Sequence, residues 1–462
     1  MGLIFKGVTY QAGGIDMVRK NLVAIIMLFG LIQLNAQDIE LTLERAKAIA
    51  LENNQEIQMA RKEVEKARYV LVEARGNFFP SISAFSSFQH AWELPTVIMN
   101  NPFYDPIRNP NKKLYFKMGT ENNLVYGFNL QLPIFTGGSI YNGYKIAKIS
   151  YEIAEAQLKS KEQEVLSNVI TAYYNVLFMR SMLKVTTEAL EAAEENYRQV
   201  KKFYEVGKAS EFDLIRAEVQ VANYKPQLLS IKNQIKLSED RLKILLNLDE
   251  EVGITYMDSL IFEGTEYLNK DLDTLINIAI ENRADVKLLK LQKEILNRQV
   301  KLSISSLMPT VAFTTNLQYQ GQKDDLDFTS EDFFKSFNSS VSISIPLFTG
   351  FRNYAKIQQK KIEVKRFDNQ MESFIRAIKL EVKTAWMTLK EAAQNLETQQ
   401  AILEQAKESY RLANLMYKEG MNTQLDVINA QIALNQSKMN YQRYLLEYNT
   451  ALVKLLKALN QL

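Results

Sequence analysis

The chain has 462 residues, 47% of them hydrophobic, with 56 Lys and Arg against 53 Asp and Glu. A formal balance of +3, interspersed rather than clustered, gives no electrostatic footprint for nucleic acid. With no cysteine and a single histidine, His90, thiol catalysis, iron–sulfur clusters, disulfide frameworks and the usual zinc sets are excluded, and neither cofactor nor metal is expected.

At the N-terminus, Val18, Arg19 and Lys20 precede a mostly apolar run over 22–34, then Asn35, Ala36 and Gln37. This is the layout of an export signal over residues 1–36, and a start at Met17 fits it. The run is too short to span a bilayer as a helix. Nothing beyond Leu34 approaches eighteen consecutive apolar residues. An exported chain without a membrane helix is soluble outside the inner membrane or crosses the outer membrane as a barrel.

The first repeat is expected over 38–248. It opens with a helix containing AIALENNQEI (48–57), followed by a strand over about 80–92 after Pro80. That strand is irregular, because Phe85 lies on its otherwise small and polar face. A Pro- and Asn-rich connector over 93–120 reads as a surface loop. In the next strand, about 122–135, Leu124, Tyr126, Phe128, Leu130 and Leu132 alternate with Asn123, Gly127, Asn129 and Gln131. It closes on LPIFTGG (132–138), with Pro133 and Gly137, and a long helix is expected over 137–205. Residues 144–206 hold no glycine or proline, as a helix of that length requires. Gly207 marks a turn, and a return helix follows over 209–247.

After a linker over 249–271, the pattern starts again, over 272–462. NIAIENRADV (277–286) matches AIALENNQEI at an offset of 229, which also carries Pro80 onto Pro309. Strands are expected over about 309–320 and 337–348, joined by a short loop near 322–335. IPLFTG (345–350), with Pro346 and Gly350, then opens a long helix over 350–418 and a return helix over 422–460. Past the strands the offset is 213, and it carries Pro133 onto Pro346, Gly137 onto Gly350, Tyr204 onto Tyr417, Gly207 onto Gly420 and Asp213 onto Asp426. Heptad seams also coincide: Val165, Val169, Val176, Leu183, Thr186 and Ala193 fall on Ile378, Val382, Leu389, Leu396, Gln399 and Ala406.

The strands are each about ten residues long with one apolar face, the pattern of transmembrane β-strands. Four cannot close a membrane barrel, since about eight is the smallest number, so several chains must contribute. A soluble sandwich would need more strands to bury these faces.

The paired junctions LPIFTGG and IPLFTG, together with the paired turns YEVGKASEFDLIRA (204–217) and YKEGMNTQLDVINA (417–430), resemble the TolC family of outer membrane factors. The resemblance covers about 38–462. It implies a mainly α chain with a small transmembrane β part, built from a duplicated strand–strand–long helix–helix unit. Three copies would form a homotrimer with a 12-stranded β-barrel in outer membrane lipid, continued by a periplasmic α-helical barrel. Such proteins are passive exit ducts of tripartite efflux or type I secretion systems, joined by a periplasmic adaptor, the membrane fusion protein, to an inner membrane pump.

In this family adaptor hairpins dock at the helical tips, on a pattern that Gly207, Ser210 and Asp213 match, as do Gly420, Thr423 and Asp426. Independently of the family, glycine can end a helix at a left-handed position and Ser210 or Thr423 can cap the next one. Capping alone and capping with docking are both open readings. The resemblance further implies a periplasmic gate. Tyr417 and Asp213 match a family pair that links adjacent hairpins, and Asp426 matches the first position of an acidic ring. The second acidic position is Asn429 here and the supporting arginine is Asn422, with Arg216 as a substitute. The competing reading of Asp213 and Asp426 is that of solvated residues favoured by the helix dipole. No partner set surrounds His90 and no phosphate-binding loop appears, so enzymatic activity is not expected. The alternative is a periplasmic coiled-coil scaffold without channel activity.

Overall fold

The computed structural model describes residues 39–104, 106–109 and 111–462. The export signal expected over 1–36 lies outside the described residues. In chain order the elements are β1 (Ile39–Leu41), α1 (Leu43–Asn53), α2 (Gln55–Gly76), β2 (Ser81–His90), β3 (Thr96–Asn100), β4 (Lys113–Lys117), β5 (Asn122–Thr136), α3 (Ser139–Glu205), α4 (Glu211–Leu246) and β6 (Ile254–Tyr256). Then follow α5 (Leu272–Asn282), α6 (Ala284–Ser305), β7 (Thr310–Lys323), β8 (Phe333–Ser344), α7 (Arg352–Lys418) and α8 (Gln424–Leu459).

Both halves contain helices of 11, 22, 67 and 36 residues in that order. At about 1.5 Å per residue, each 67-residue helix is about 100 Å long. The heptad seams read from the sequence are where these helices bury side chains: Val165, Val169, Val176 and Ala193 on α3, Ile378, Val382, Leu389 and Leu396 on α7.

The chain divides into two compact units. One comprises Gln55–Glu164, Glu266–Leu389 and Lys454–Leu462 and holds a four-stranded antiparallel sheet in the order β2-β5-β7-β8. The register puts Ile82, Phe88, Leu124, Phe128, Leu317, Phe313, Phe337 and Val341 on one face. On the other, Thr314 and Ser340 hydroxyls bond at 2.7 Å, and Gln320 donates to Asn123 at 3.0 Å. Among the described residues nothing covers the apolar face, with Phe337 65% and Ile343 66% exposed. Phe85, the exception in the β2 pattern, stands opposite Gly127. A Cβ at Gly127 would lie 2.2 Å from the Leu317 carbonyl oxygen, so an aromatic next to a bare backbone position supplies the cross-strand surface there.

The other unit comprises Val165–Thr265, Lys390–Val453 and the residues up to Asn54. In it β1 pairs in parallel with β6. Buried Tyr173 on α3 lies 3.0 Å from the Leu41 carbonyl and 2.8 Å from an Asp258 carboxylate oxygen, which also accepts from the Leu43 amide. Burial, then the Asp258 carboxylate, raises the Tyr173 phenol well above its ordinary pKa.

Several expectations need correction. Each helix expected ahead of a strand pair is two, broken at Asn54 and at Arg283, where ψ is 130° and 128°. Neither break needs glycine or proline. The Asn54 side-chain amide donates to the Leu245 carbonyl, while the Arg283 guanidinium engages Asp285, Glu381 and the Ala458 carbonyl. The 93–120 connector carries the β3–β4 hairpin, and the linker over 249–271 carries β6. The strand expected over 337–348 starts at Phe333 and stops at Ser344, because β7 offers no partner beyond Thr310.

Candidate functional site at the junctions and hairpin tips

Pro80 and Pro309 each follow a helix end that closes with two i→i+3 backbone bonds, Phe78 to Arg75 and Phe79 to Gly76 in one, Leu307 to Ile304 and Met308 to Ser305 in the other. Proline suits these positions, since it enters extended backbone without needing a donor. Pro133 sits beside a register irregularity in β5, before Phe135. Gly137 and Gly138 then take φ of +62° and +83° to turn the chain into α3. A Cβ on Gly137 would meet the Ser305 carbonyl oxygen and the Met308 Cβ, each at 2.7 Å.

At the second junction Gly350 has the same φ, +62°, and Phe351 occupies the Gly138 position at +60°. Nothing lies within 4 Å of a Cβ on Gly350. Around it Leu347 is 93% exposed, and Phe348 packs edge-on against Phe351 with ring centroids 5.6 Å apart. Pro346 falls in the segment beyond β8, which has no strand partner among the described residues.

The two tips are built alike. Gly207 (φ +73°) and Gly420 (φ +74°) end α3 and α7, with Lys208 donating to the Phe203 carbonyl and Met421 to that of Met416. Left-handed backbone favours glycine, and a Cβ at either position meets only open space. Ser210 caps α4 through a capping box: its hydroxyl accepts from the Asp213 amide at 3.1 Å and donates to the Asp213 carboxylate at 2.6 Å. Thr423 and Asp426 repeat this, with the Thr423 amide at 2.9 Å and its hydroxyl at 2.6 Å from the Asp426 carboxylate. These two donors hold the Asp426 carboxyl below its ordinary pKa.

Among the described residues the Asp213 carboxylate bonds to Ser210, with Arg216 at 4.0 Å. Arg216 in turn lies over the Phe212 ring at 4.4 Å. Tyr417 is half-buried, its ring 6.0 Å from Phe203, and burial followed by the charge of Asp213 raises its pKa. Among the described residues no hydrogen bond joins Tyr417 to Asp213, whose carboxylate is engaged by Ser210. Asn422 turns inward, its amide donating to the Ala413 carbonyl at 3.0 Å, while Asn429 is exposed on α8.

The sequence reading missed a polar row between the return helices. Gln424 donates to the Asp213 carbonyl at 3.4 Å, and Asn435 donates to the Tyr224 hydroxyl at 3.0 Å. Both pairs are 211 residues apart, so α4 and α8 run parallel in fixed register.

The sequence model of the family described as "Outer membrane efflux protein" matches residues 48–248 and 275–461, well over half of the chain. The chain belongs to the outer membrane efflux protein family. It is an outer membrane protein, and the family is one of channels, not enzymes. Among relatives, the chain is 22% identical over 415 residues to the solvent efflux pump outer membrane protein SrpC of Pseudomonas putida, covering 89% of this chain and 83% of that one. It is 21% identical over 306 residues to the outer membrane efflux protein BepC of Brucella suis, covering 66% of this chain and 65% of BepC. The CmeC outer membrane channel of Campylobacter jejuni shares the fold, with a TM-score of 0.72 at 20% identity over 91% of this chain and 85% of that one. Both tips and both strand-to-helix junctions of this efflux protein lie inside the family match.

Proposed function

We propose that this protein is the outer membrane exit duct of a tripartite export machine, formed by three copies. The observation that carries this is a missing strand partner. Under the repeat offsets, the last β7–β8 pair, Thr310 with Ser344, is equivalent to the last β2–β5 pair, Ser81 with Gln131. Beyond Gln131, β5 continues to Thr136 because β7 lies on its other side. Residues 345–349 lack such a neighbour, and the strand equivalent to β7 is β2. The β2 of an adjacent copy supplies it, in the register that sets Ser342 opposite Ser87. The same step brings Gly76 and Phe79 of that copy to the exposed Gly350, as Ser305 and Met308 meet Gly137 within the chain.

Three copies give twelve strands, enough to close with a lipid-facing apolar face and a polar lumen. The exposed tips at Gly207 and Gly420 take the periplasmic adaptor, which links the duct to the inner membrane pump. At the same tips Asp213, Tyr417, Asp426 and Arg216 restrict the periplasmic mouth, with Asn422 holding its turn inward and Asn429 leaving the acidic ring at one carboxylate per copy. Three Asp426 carboxylates around a narrow mouth favour cations.

Planar-bilayer recording on the purified protein tests this reading. Discrete channels are expected, with conductance raised several-fold by Asp213→Ala with Asp426→Ala and cation preference reduced by Asp426→Asn. A preparation that stays monomeric and forms no channels would return the protein to the scaffold class.

A further inference from the structure

The buried stripe of α8 changes character along its length. Toward the tip it consists of Gln424, Val427, Ile428, Gln431, Leu434, Asn435 and Ser437, so that polar residues make up more than half of it. From Leu445 onward it is Leu445, Tyr448, Ala451, Leu452 and Val453, with Asn449 as the polar member, its amide bonded to two carbonyls. Aliphatic burial of the second kind holds a helix in place, whereas a polar stripe gives up less on contact with water.

At the centre of the polar half stand Gln431, 1% exposed, and Gln220. They are 211 residues apart, the spacing of the bonded pairs Asp213–Gln424 and Tyr224–Asn435 on either side. The positions 213, 220 and 224 on α4 follow heptad geometry, so Gln220 and Gln431 share one layer of the seam. Among the described residues neither amide finds a hydrogen-bond partner at its nitrogen or its oxygen. Buried amides left unpaired are costly, and each calls for an account of what it does.

We infer that Gln220 and Gln431 form the centre of a releasable amide seam, closed while the mouth is shut and hydrated when α8 separates from α4 at the tip. The inference rests on the gate reading above and adds to it Gln220, seven residues beyond Asp213 on α4, and Gln431, five beyond Asp426 on α8. The unpaired amides disfavour the closed packing, while the bonded pairs Asp213–Gln424 and Tyr224–Asn435 hold it, which leaves the two arrangements close in free energy. The far half of α8 stays anchored on its apolar stripe, so movement is confined to the segment before Leu445.

The absence of cysteine makes the test direct. A Gln431→Cys protein in the full-length assembled duct should react slowly with a water-soluble maleimide, and at least tenfold faster once Asp213→Ala and Asp426→Ala are added. Gln220→Leu with Gln431→Leu should raise the melting temperature and lower the open-channel fraction in bilayers by about an order of magnitude. Raised conductance in the Asp213→Ala/Asp426→Ala protein combined with unchanged labelling at 431 would overturn the seam alone. Unchanged conductance in that protein would overturn the gate reading and the seam with it. A leucine pair that lowers the melting temperature or leaves opening unaltered would also count against the seam.

Discussion

Tyr173 shows how much a single hydroxyl can hold. It is fully buried between the carbonyl of Leu41 and the carboxylate of Asp258, so it ties α3 to the end of β1 and to the chain after β6. Tyr173→Phe keeps the ring but removes the hydroxyl's bond to a carboxylate, while the Leu43 and Met257 amides still serve Asp258 and the Leu41 carbonyl; the loss should cost about 1–2 kcal/mol, read as a lower denaturant midpoint. Asp426 illustrates a charge effect at the surface. Its pKa is lowered from 3.8 by the hydroxyl and amide of Thr423, so the ionised carboxylate stabilises the tip above that ordinary value. The contribution disappears as pH falls through the depressed one. Hydrogen exchange in the tip peptide, corrected for its intrinsic pH dependence, should accelerate in that acid range for wild type and not for Asp426→Asn.

Among the elements, the junctions carry the sharpest steric demand. Gly137 combines a left-handed φ with two atoms 2.7 Å from any Cβ. Gly137→Ala should therefore cost about 2–4 kcal/mol, from backbone strain and overpacking together, and reduce the yield of folded protein. Most of the elements were legible because their causes are local. Long stretches without glycine or proline give α3 and α7, and alternation gives β5, β7 and β8. The capping residues Ser210 and Thr423 could be read because N-caps have a short sequence signature. What escaped depends on distant partners. The pairing of β1 with β6 joins segments of three residues each from far apart in the chain. The break at Asn54 is held by a carbonyl on α4, and the Gln220–Gln431 layer requires knowing that α4 lies beside α8. Phe351 was opaque for another reason: an aromatic gives no sign that it will adopt the backbone that glycine takes at Gly138.

At the level of the whole molecule, the duplication is what makes the single chain informative about its assembly. Equal helix lengths in both halves and one repeated pattern of strand pairing make the contact between repeats, β5 on β7, the template for the contact between copies that we propose, β8 on β2. In the proposed assembly the exposed apolar residues Leu347, Phe348 and Phe79 fall at that boundary. Disulfide trapping across that boundary is the most direct measurement, since the chain supplies no thiol of its own. Oxidation of the Ser87→Cys/Ser342→Cys protein in outer membranes should yield covalent trimers on denaturing gels, with neither single variant producing them. Covalent species absent from the double variant, or limited to disulfides within one chain, would contradict closure of the duct by β8 and β2.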